Sequence, residues 1–279
     1  MKFRTEIEPI KGLRGTITHE TPVLLLGSCF TDNIGRRLEA EGFQVDINPA
    51  GTVFNPWSVK SVLERIYFKG DFTEDDLVCD PQGVYHSFEL HSRFSSTSPA
   101  TVVDAANRRL AEARAFYDRA EVAVITLGSS MVYLREGETV ANCHKFPAAD
   151  FDVRRLSPEE VRASLETITT LLAGKRIIFT VSPVRHVAYG LHGNQLSKAS
   201  LLLGVDSVEN VIYYPAYEIL NDDLRDYRFY ADDLKHPSEK AVEYVYDHFC
   251  ETFMTAETRE KARAFGRAAR LAAHRRLIN

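Results

Sequence analysis

Ser28 follows an apolar run, Leu24-Leu25-Leu26, and a glycine, Gly27, while Asp233-Leu234-Lys235-His236 lies far along the chain. Together they offer a hydroxyl, an imidazole and a carboxylate. A serine becomes a nucleophile when an imidazole takes its proton and a carboxylate holds that imidazole in the right tautomer. The pattern points to a serine hydrolase with Ser28 as nucleophile, His236 as general base and Asp233 as its partner. Each residue also has a plainer reading: Ser28 as a helix N-cap or phosphate contact, and Asp233 and His236 as members of a solvated turn. A third element, Asn48-Pro49-Ala50-Gly51-Thr52, follows the next apolar run. Gly51 there either presents a backbone N–H to the oxyanion of acyl transfer or closes a turn.

Such residues meet only if a fold gathers them. Short β-rich runs at 23–27, 43–47, 121–127, 176–182 and 211–214 alternate with helical patterns, which predicts an α/β fold with a parallel sheet and helices on both faces. After the first strand, Ile34 and Leu38 share a helical face and Gly42 marks its end. Asn55-Pro56 opens a second helix, with Val59, Val62, Leu63 and Ile66 inward. A third spans 103–118, with Val103, Ala106, Leu110, Ala113 and Tyr117 on one face. The clearest runs over 158–173, where Ser157, Pro158 and Glu160 form a capping box ahead of Val161, Leu165, Ile168 and Leu172. A helix over 238–253 buries Val242, Val245 and Phe249. The last, over 257–276, is expected to pack Ala262, Phe265, Ala269 and Ala272 on the domain and leave Arg259, Lys261, Arg263, Arg267, Arg270, Arg275 and Arg276 in water. Irregular stretches at 69–100, 128–156 and 214–237 hold most of the histidines, and loops of that length in compact domains are commonly functional.

With 279 residues, 44% hydrophobic and 26% charged, the chain suits one large domain with an addition, divided at 1–255 and 256–279. The net charge of −5 gives no pull toward nucleic acid. Met1-Lys2-Phe3-Arg4-Thr5-Glu6 leads into no apolar stretch of a secretory signal, and no run is long enough to span a membrane. The four cysteines are scattered without a Cys-x-x-Cys pair, so a reduced, cytoplasmic protein is expected. Cys29 reads as a packing residue beside the nucleophile. The spacings of His86, His91, Cys143, His144 and His186 match no zinc motif, and no Gly-rich phosphate loop occurs, so neither metal nor organic cofactor is expected.

Further segments carry a family resemblance: Gly27-Ser28-Cys29-Phe30, Gly51 followed by Phe54-Asn55-Pro56, Thr126-Leu127-Gly128-Ser129-Ser130, Val140-Ala141-Asn142-Cys143-His144-Lys145, Thr180-Val181-Ser182-Pro183-Val184-Arg185-His186, Ser197-Lys198, Arg225-Asp226-Tyr227 and His236-Pro237-Ser238. Over residues 22–250 the chain resembles the GSCFA family, within the SGNH/GDSL hydrolase superfamily, with Thr31 where the family name has Ala. The resemblance implies a flavodoxin-like three-layer α/β/α fold, the triad Ser28, Asp233 and His236, and an oxyanion hole built from the amides of Ser28 and Gly51. The superfamily's third donor is an Asn in a Gly-x-Asn-Asp block, where this chain has Gly128-Ser129-Ser130. Ser129, Ser130 or Asn142 is the expected replacement. The same resemblance makes His86, Asn142, His144, His186 and Lys198 cleft-lining or substrate-contacting groups.

The expected activity is hydrolysis of an ester through an acyl-serine, with an acylated carbohydrate or other small acylated molecule as substrate. Acyl transfer through the same intermediate is one alternative, and a catalytically silent carbohydrate- or small-molecule-binding protein is another.

Overall fold

The computed structural model describes residues 4–68 and 70–278, the side chains of 270 and 272–278 excepted. From the amino end the chain forms β1 (Val23–Gly27), α1 (Cys29–Ala40), β2 (Val45–Ile47), α2 (Pro56–Tyr67), β3 (Val78–Cys79), β4 (Tyr85–His86) and α3 (Pro99–Arg119). There follow β5 (Val122–Leu127), β6 (Met131–Arg135), β7 (Glu138–Val140), β8 (Asp152–Arg155), α4 (Pro158–Leu171), β9 (Arg176–Val181), α5 (Gly190–Asp206) and β10 (Ile212–Tyr214). The last two helices are α6 (Glu239–Phe253) and α7 (Ala256–Ile278).

Five strands make one parallel sheet in the order β2-β1-β5-β9-β10, the flavodoxin-like order 2-1-3-4-5. Strand side chains alternate between faces, so each strand feeds two cores. Leu24, Leu26, Ala123, Ile125, Ile177 and Phe179 pack under α2, α3, α4 and α5. Val23, Leu25, Val122, Val124, Ile178 and Tyr214 pack against α1 and α6. The result is the three-layer α/β/α fold expected from the alternating pattern. Burial on both faces is why β1 and β5 read as unbroken apolar runs.

Local chemistry sets the helix starts. Ser157 Oγ accepts from Glu160 N and the Glu160 carboxylate accepts from Ser157 N, closing the expected capping box. Asn55 caps α2 through Ser58 N. Helix α3 begins at Pro99 under a Ser98 cap, earlier than the expected 103. Helix α5 was not anticipated: it carries Gly190, Gly193 and Gly204 and a Leu201-Leu202-Leu203 run that blurs any single apolar stripe.

All three long stretches expected to be irregular are partly ordered, the 214–237 one by a helical turn over Ala216–Glu218 that continues through Ile219–Leu224. The 69–100 segment contains the β3–β4 hairpin, and the 128–156 segment folds into an antiparallel sheet of order β7-β6-β8. These strands have two to five residues and mix half-buried with exposed positions, β8 being exposed throughout, so they are too short and mixed to leave a periodic trace. Helix α7 packs through Thr258, Ala262 and Gly266, so that of the expected face Ala262 is buried while Phe265 and Ala269 are exposed. Phe265 is 45% exposed, although its ring lies 5.4 Å from that of His19. The side chains of Arg270, Ala272, Arg275 and Arg276 lie outside the described residues. Among the described residues, no helix is long and apolar enough to cross a membrane.

Candidate active site

Ser28 stands where β1 ends and α1 begins, at the carboxyl edge of the sheet. Gly27 makes that turn: its φ is +138°, and a methyl added there would sit 2.2 Å from the Thr126 carbonyl oxygen of β5. Ser28 is 1% exposed, and its Oγ caps α1 by accepting from Phe30 N at 3.3 Å. The space above it is closed by Gly128, at whose position a Cβ would lie 3.3 Å from Ser28 Cβ. Gly128 N and Ser129 N both donate to the Phe54 carbonyl at 2.8 Å.

Sequence reasoning did not single out Asn48, which pins this turn. Its Oδ1 accepts from Gly27 N at 2.8 Å and its Nδ2 donates to Asp32 Oδ1 at 2.7 Å, tying the end of β1 to the first turn of α1. The available signal was an Asn directly after the second strand at the sheet edge where a ligand would bind. Asn48 is 2% exposed, so Asn48→Asp would set a carboxylate against Asp32 with little water to screen it. We expect roughly 2–4 kcal/mol of lost stability at neutral pH, read from the urea midpoint, with part of it recovered in acid as the two carboxyls come to share a proton.

Asp233 and His236 form a tight pair on the loop before α6. Asp233 Oδ2 lies 2.6 Å from His236 Nδ1, and Asp233 Oδ1 accepts from Lys235 N at 2.9 Å and His236 N at 3.0 Å. Leu234, with φ +56°, supplies the left-handed step that lets one carboxylate collect all three. Those bonds, the His236 backbone N–H first and its ring second, hold the Asp233 carboxyl far below the usual carboxylate range. The loop is tied to the end of β9 by Arg185 N donating to Lys235 O at 3.0 Å, and the Arg185 guanidinium lies 4.0 Å from the Tyr230 ring centre. Only β5 separates β9 from β1, a gap of two strand spacings, roughly 10 Å. Ser28 and the Asp233–His236 pair therefore share one sheet edge, with the pair exposed and the serine covered. Among the described residues, Ser28 Oγ has no hydrogen bond to His236.

The expected oxyanion donors are differently placed. Ser28 N donates to Thr126 O at 3.2 Å, and Gly51 N donates to Asn48 O at 2.8 Å, closing its own β-turn. Ser129 Oγ lies 3.1 Å and Ser130 Oγ 3.2 Å from Ser197 Oγ, which also accepts from Ser130 N at 2.8 Å. Ser197 on α5 thus latches the loop after β5, a contact invisible to local pattern reading. Asn142 Nδ2 is buried and, among the described residues, has no partner.

The groups expected to contact substrate divide. His86 and His144 stack at 4.6 Å beside a cleft of ≈ 960 Å³, with His86 held by Ser95 Oγ and Asp80 and His144 donating to Ser87 O. His186 lies beyond the end of β9, its Nε2 buried without a partner among the described residues, and burial lowers its pKa. Lys198 is 1% exposed and donates to Gly128 O and Ser182 O, both at 2.6 Å, bracing the ends of β5 and β9 beneath the site. Cys29 is a free thiol whose pKa is raised by burial, which keeps it protonated and poorly nucleophilic.

Burial pushes the Lys198 ammonium down to about 7. Unfolded, the same group titrates near about 10.4, so between those values the unfolded chain binds more protons and stability climbs with pH. That contribution is complete above the unfolded value and is lost as pH falls toward 7. We expect the urea midpoint to rise from pH 7 to pH 10 in the native protein and to rise less in Lys198→Gln, whose amide keeps donors for the two carbonyls. Equal slopes would show that Lys198 is not the titrating group.

Comparison with known proteins bears on family and fold. No curated protein matches the chain by sequence. Among solved structures, an acetyl xylan esterase (Est2A) from the rumen bacterium Butyrivibrio proteoclasticus is similar with a TM-score of 0.39 and 8% identity. That match takes in 84% of this chain and 63% of the other, so the chain spans less than two thirds of that esterase's length. The GSCFA family model matches residues 22–249, from the start of β1 into α6, and the chain belongs to the GSCFA family.

Proposed function

We propose that the protein is a serine-dependent hydrolase of ester bonds. The observation that supports this reading is the 2.6 Å pairing of Asp233 Oδ2 with His236 Nδ1, on a loop hydrogen-bonded to the segment that follows β9, two strands from the end of β1 where Ser28 stands. The carboxylate fixes the tautomer in which Nε2 carries the lone pair, the form a general base needs. In the reaction Ser28 Oγ leaves Phe30 N–H, a long hydrogen bond worth about 1 kcal/mol, and gives its proton to Nε2 as it attacks the acyl carbon. The imidazolium then protonates the departing alcohol. Water, deprotonated by the same imidazole, releases the acid from the acyl-serine; an acceptor hydroxyl in place of water would give acyl transfer.

Charge developing on the acyl oxygen meets the positive N-terminus of α1, and the amides of Ser28 and Gly51 join as donors if their bonds to Thr126 O and Asn48 O open. The polar and aromatic loops over the sheet edge suit an acylated sugar or another small acylated molecule.

A second reading, a silent ligand-binding protein, is favoured by the burial of Ser28 and by the intrachain bonds of both backbone donors. A fluorophosphonate probe and short-chain aryl esters separate the two. We expect labelling and turnover in the native protein and neither in Ser28→Ala. Absence of both from folded native protein, across a broad ester panel, would overturn the hydrolase and leave the binding protein.

A further inference from the structure

The ≈ 960 Å³ cleft beside His86 and His144 is built by the β3–β4 hairpin and the 142–150 loop, outside the strand ends that carry Ser28 and the Asp233–His236 pair. Its lining has an imbalance. Arg135 lies 5.1 Å from the centre of the Phe88 ring and 5.7 Å from that of Phe146, yet among the described residues it has no ion pair or hydrogen bond. Lys145 likewise has no carboxylate partner. Asp80 on the same wall is already engaged: Oδ1 accepts from Gln82 N and Val84 N, and Oδ2 meets His86. Asp150 is left on the exposed rim. On the same lining the Nδ2 of Asn142 is buried and, among the described residues, has no acceptor, and an unsatisfied buried amide costs stability.

The backbone points the same way. His144 and Lys145 have φ of +48° and +65°, and Phe146 N donates to Cys143 O at 2.9 Å, so two side-chain-bearing residues occupy the centre of a type I′ turn. Asn-Gly is the usual pair there because both positions need the left-handed region. A chain that accepts this strain gains the placement of a histidine and a lysine at the cleft.

We propose that this cleft binds a ligand bearing an oxyanion, a carboxylate or a phosphate, through Arg135, Lys145 and the amide of Asn142. The site is independent of ester chemistry, so it is tested without turnover. Full-length protein is titrated calorimetrically at low salt with glucuronate, glucose 6-phosphate and glucose. At least one charged sugar should bind, glucose should bind at least roughly tenfold more weakly, and Arg135→Gln should lower the affinity roughly 10- to 100-fold. Which charged sugar wins identifies carboxylate or phosphate as the group recognised. Asn142→Ala should also weaken binding, while Lys145→Gly should raise Tm by relaxing the turn and still weaken binding, which keeps the test decisive if Arg135→Gln fails to fold. Binding of none of the probes, glucose binding as tightly as its charged relatives, or unchanged affinity in the folded variants would each overturn the assignment.

Discussion

Asp233→Asn is expected to lower kcat for ester hydrolysis by about four orders of magnitude, the loss known for the equivalent change in serine proteases, with Tm nearly unchanged. The reason is local. The amide oxygen of an asparagine can still accept from Lys235 N and His236 N, so the loop keeps its shape. The amide NH2 then faces His236 Nδ1, making that nitrogen the acceptor and placing the ring proton on Nε2, where it blocks proton removal from Ser28. Fluorophosphonate labelling of Ser28 should slow in step. A loss of less than tenfold would remove the Asp233–His236 pair from the mechanism.

The same carboxylate makes a pH expectation. Its pKa is depressed, so the stabilisation it gives is present above the unfolded value of about 3.9 and is lost as pH falls below it toward the folded value. Asp233 should therefore add no limb to the activity profile at any pH above about 4, and an acid limb there belongs to another group.

Gly27→Ala has the largest expected effect on the fold. The added methyl would meet the Thr126 carbonyl oxygen at 2.2 Å, with Thr126 C and N both at 2.9 Å, all of it backbone in the centre of the sheet. No rotamer relieves such a contact, and a φ of +138° is itself hostile to alanine. Separating β1 from β5 would disturb Ser28 N–H···O=C Thr126 and both cores at once. We expect a loss of about 4 kcal/mol or more, seen as insoluble protein or a collapsed urea midpoint. A variant melting within a few degrees of the native protein would mean that the strand end is far softer than its packing implies.

What could be read from the amino acids followed range of interaction. Leu24-Leu25-Leu26 and Val122 to Leu127 reveal a buried parallel sheet because burial on two faces needs apolar residues at every position. Ser157, Pro158 and Glu160 disclose a helix start because the chemistry of a cap lies within four residues. Asp233 and His236 are legible for the same reason, being three positions apart. The roles of Asn48, Ser197 and Lys198 are not legible: each acts on backbone or side chains brought close by the sheet, at Gly27, Ser130 and Ser182 respectively. Gly51 illustrates the limit from the other side, since Asn-Pro-Ala-Gly encodes a turn well and says nothing of whether the turn keeps its own N–H. The short antiparallel strands of the insertion, and the glycine-bearing α5, owe their form to packing against the domain rather than to periodicity.

Ser28 does two jobs with one oxygen. While it receives the Phe30 N–H it is the first rung of α1, and its second lone pair stays open. An acyl-serine would carry the same oxygen as an ester, a poorer acceptor than a hydroxyl, so each catalytic cycle would loosen and re-form the start of a helix.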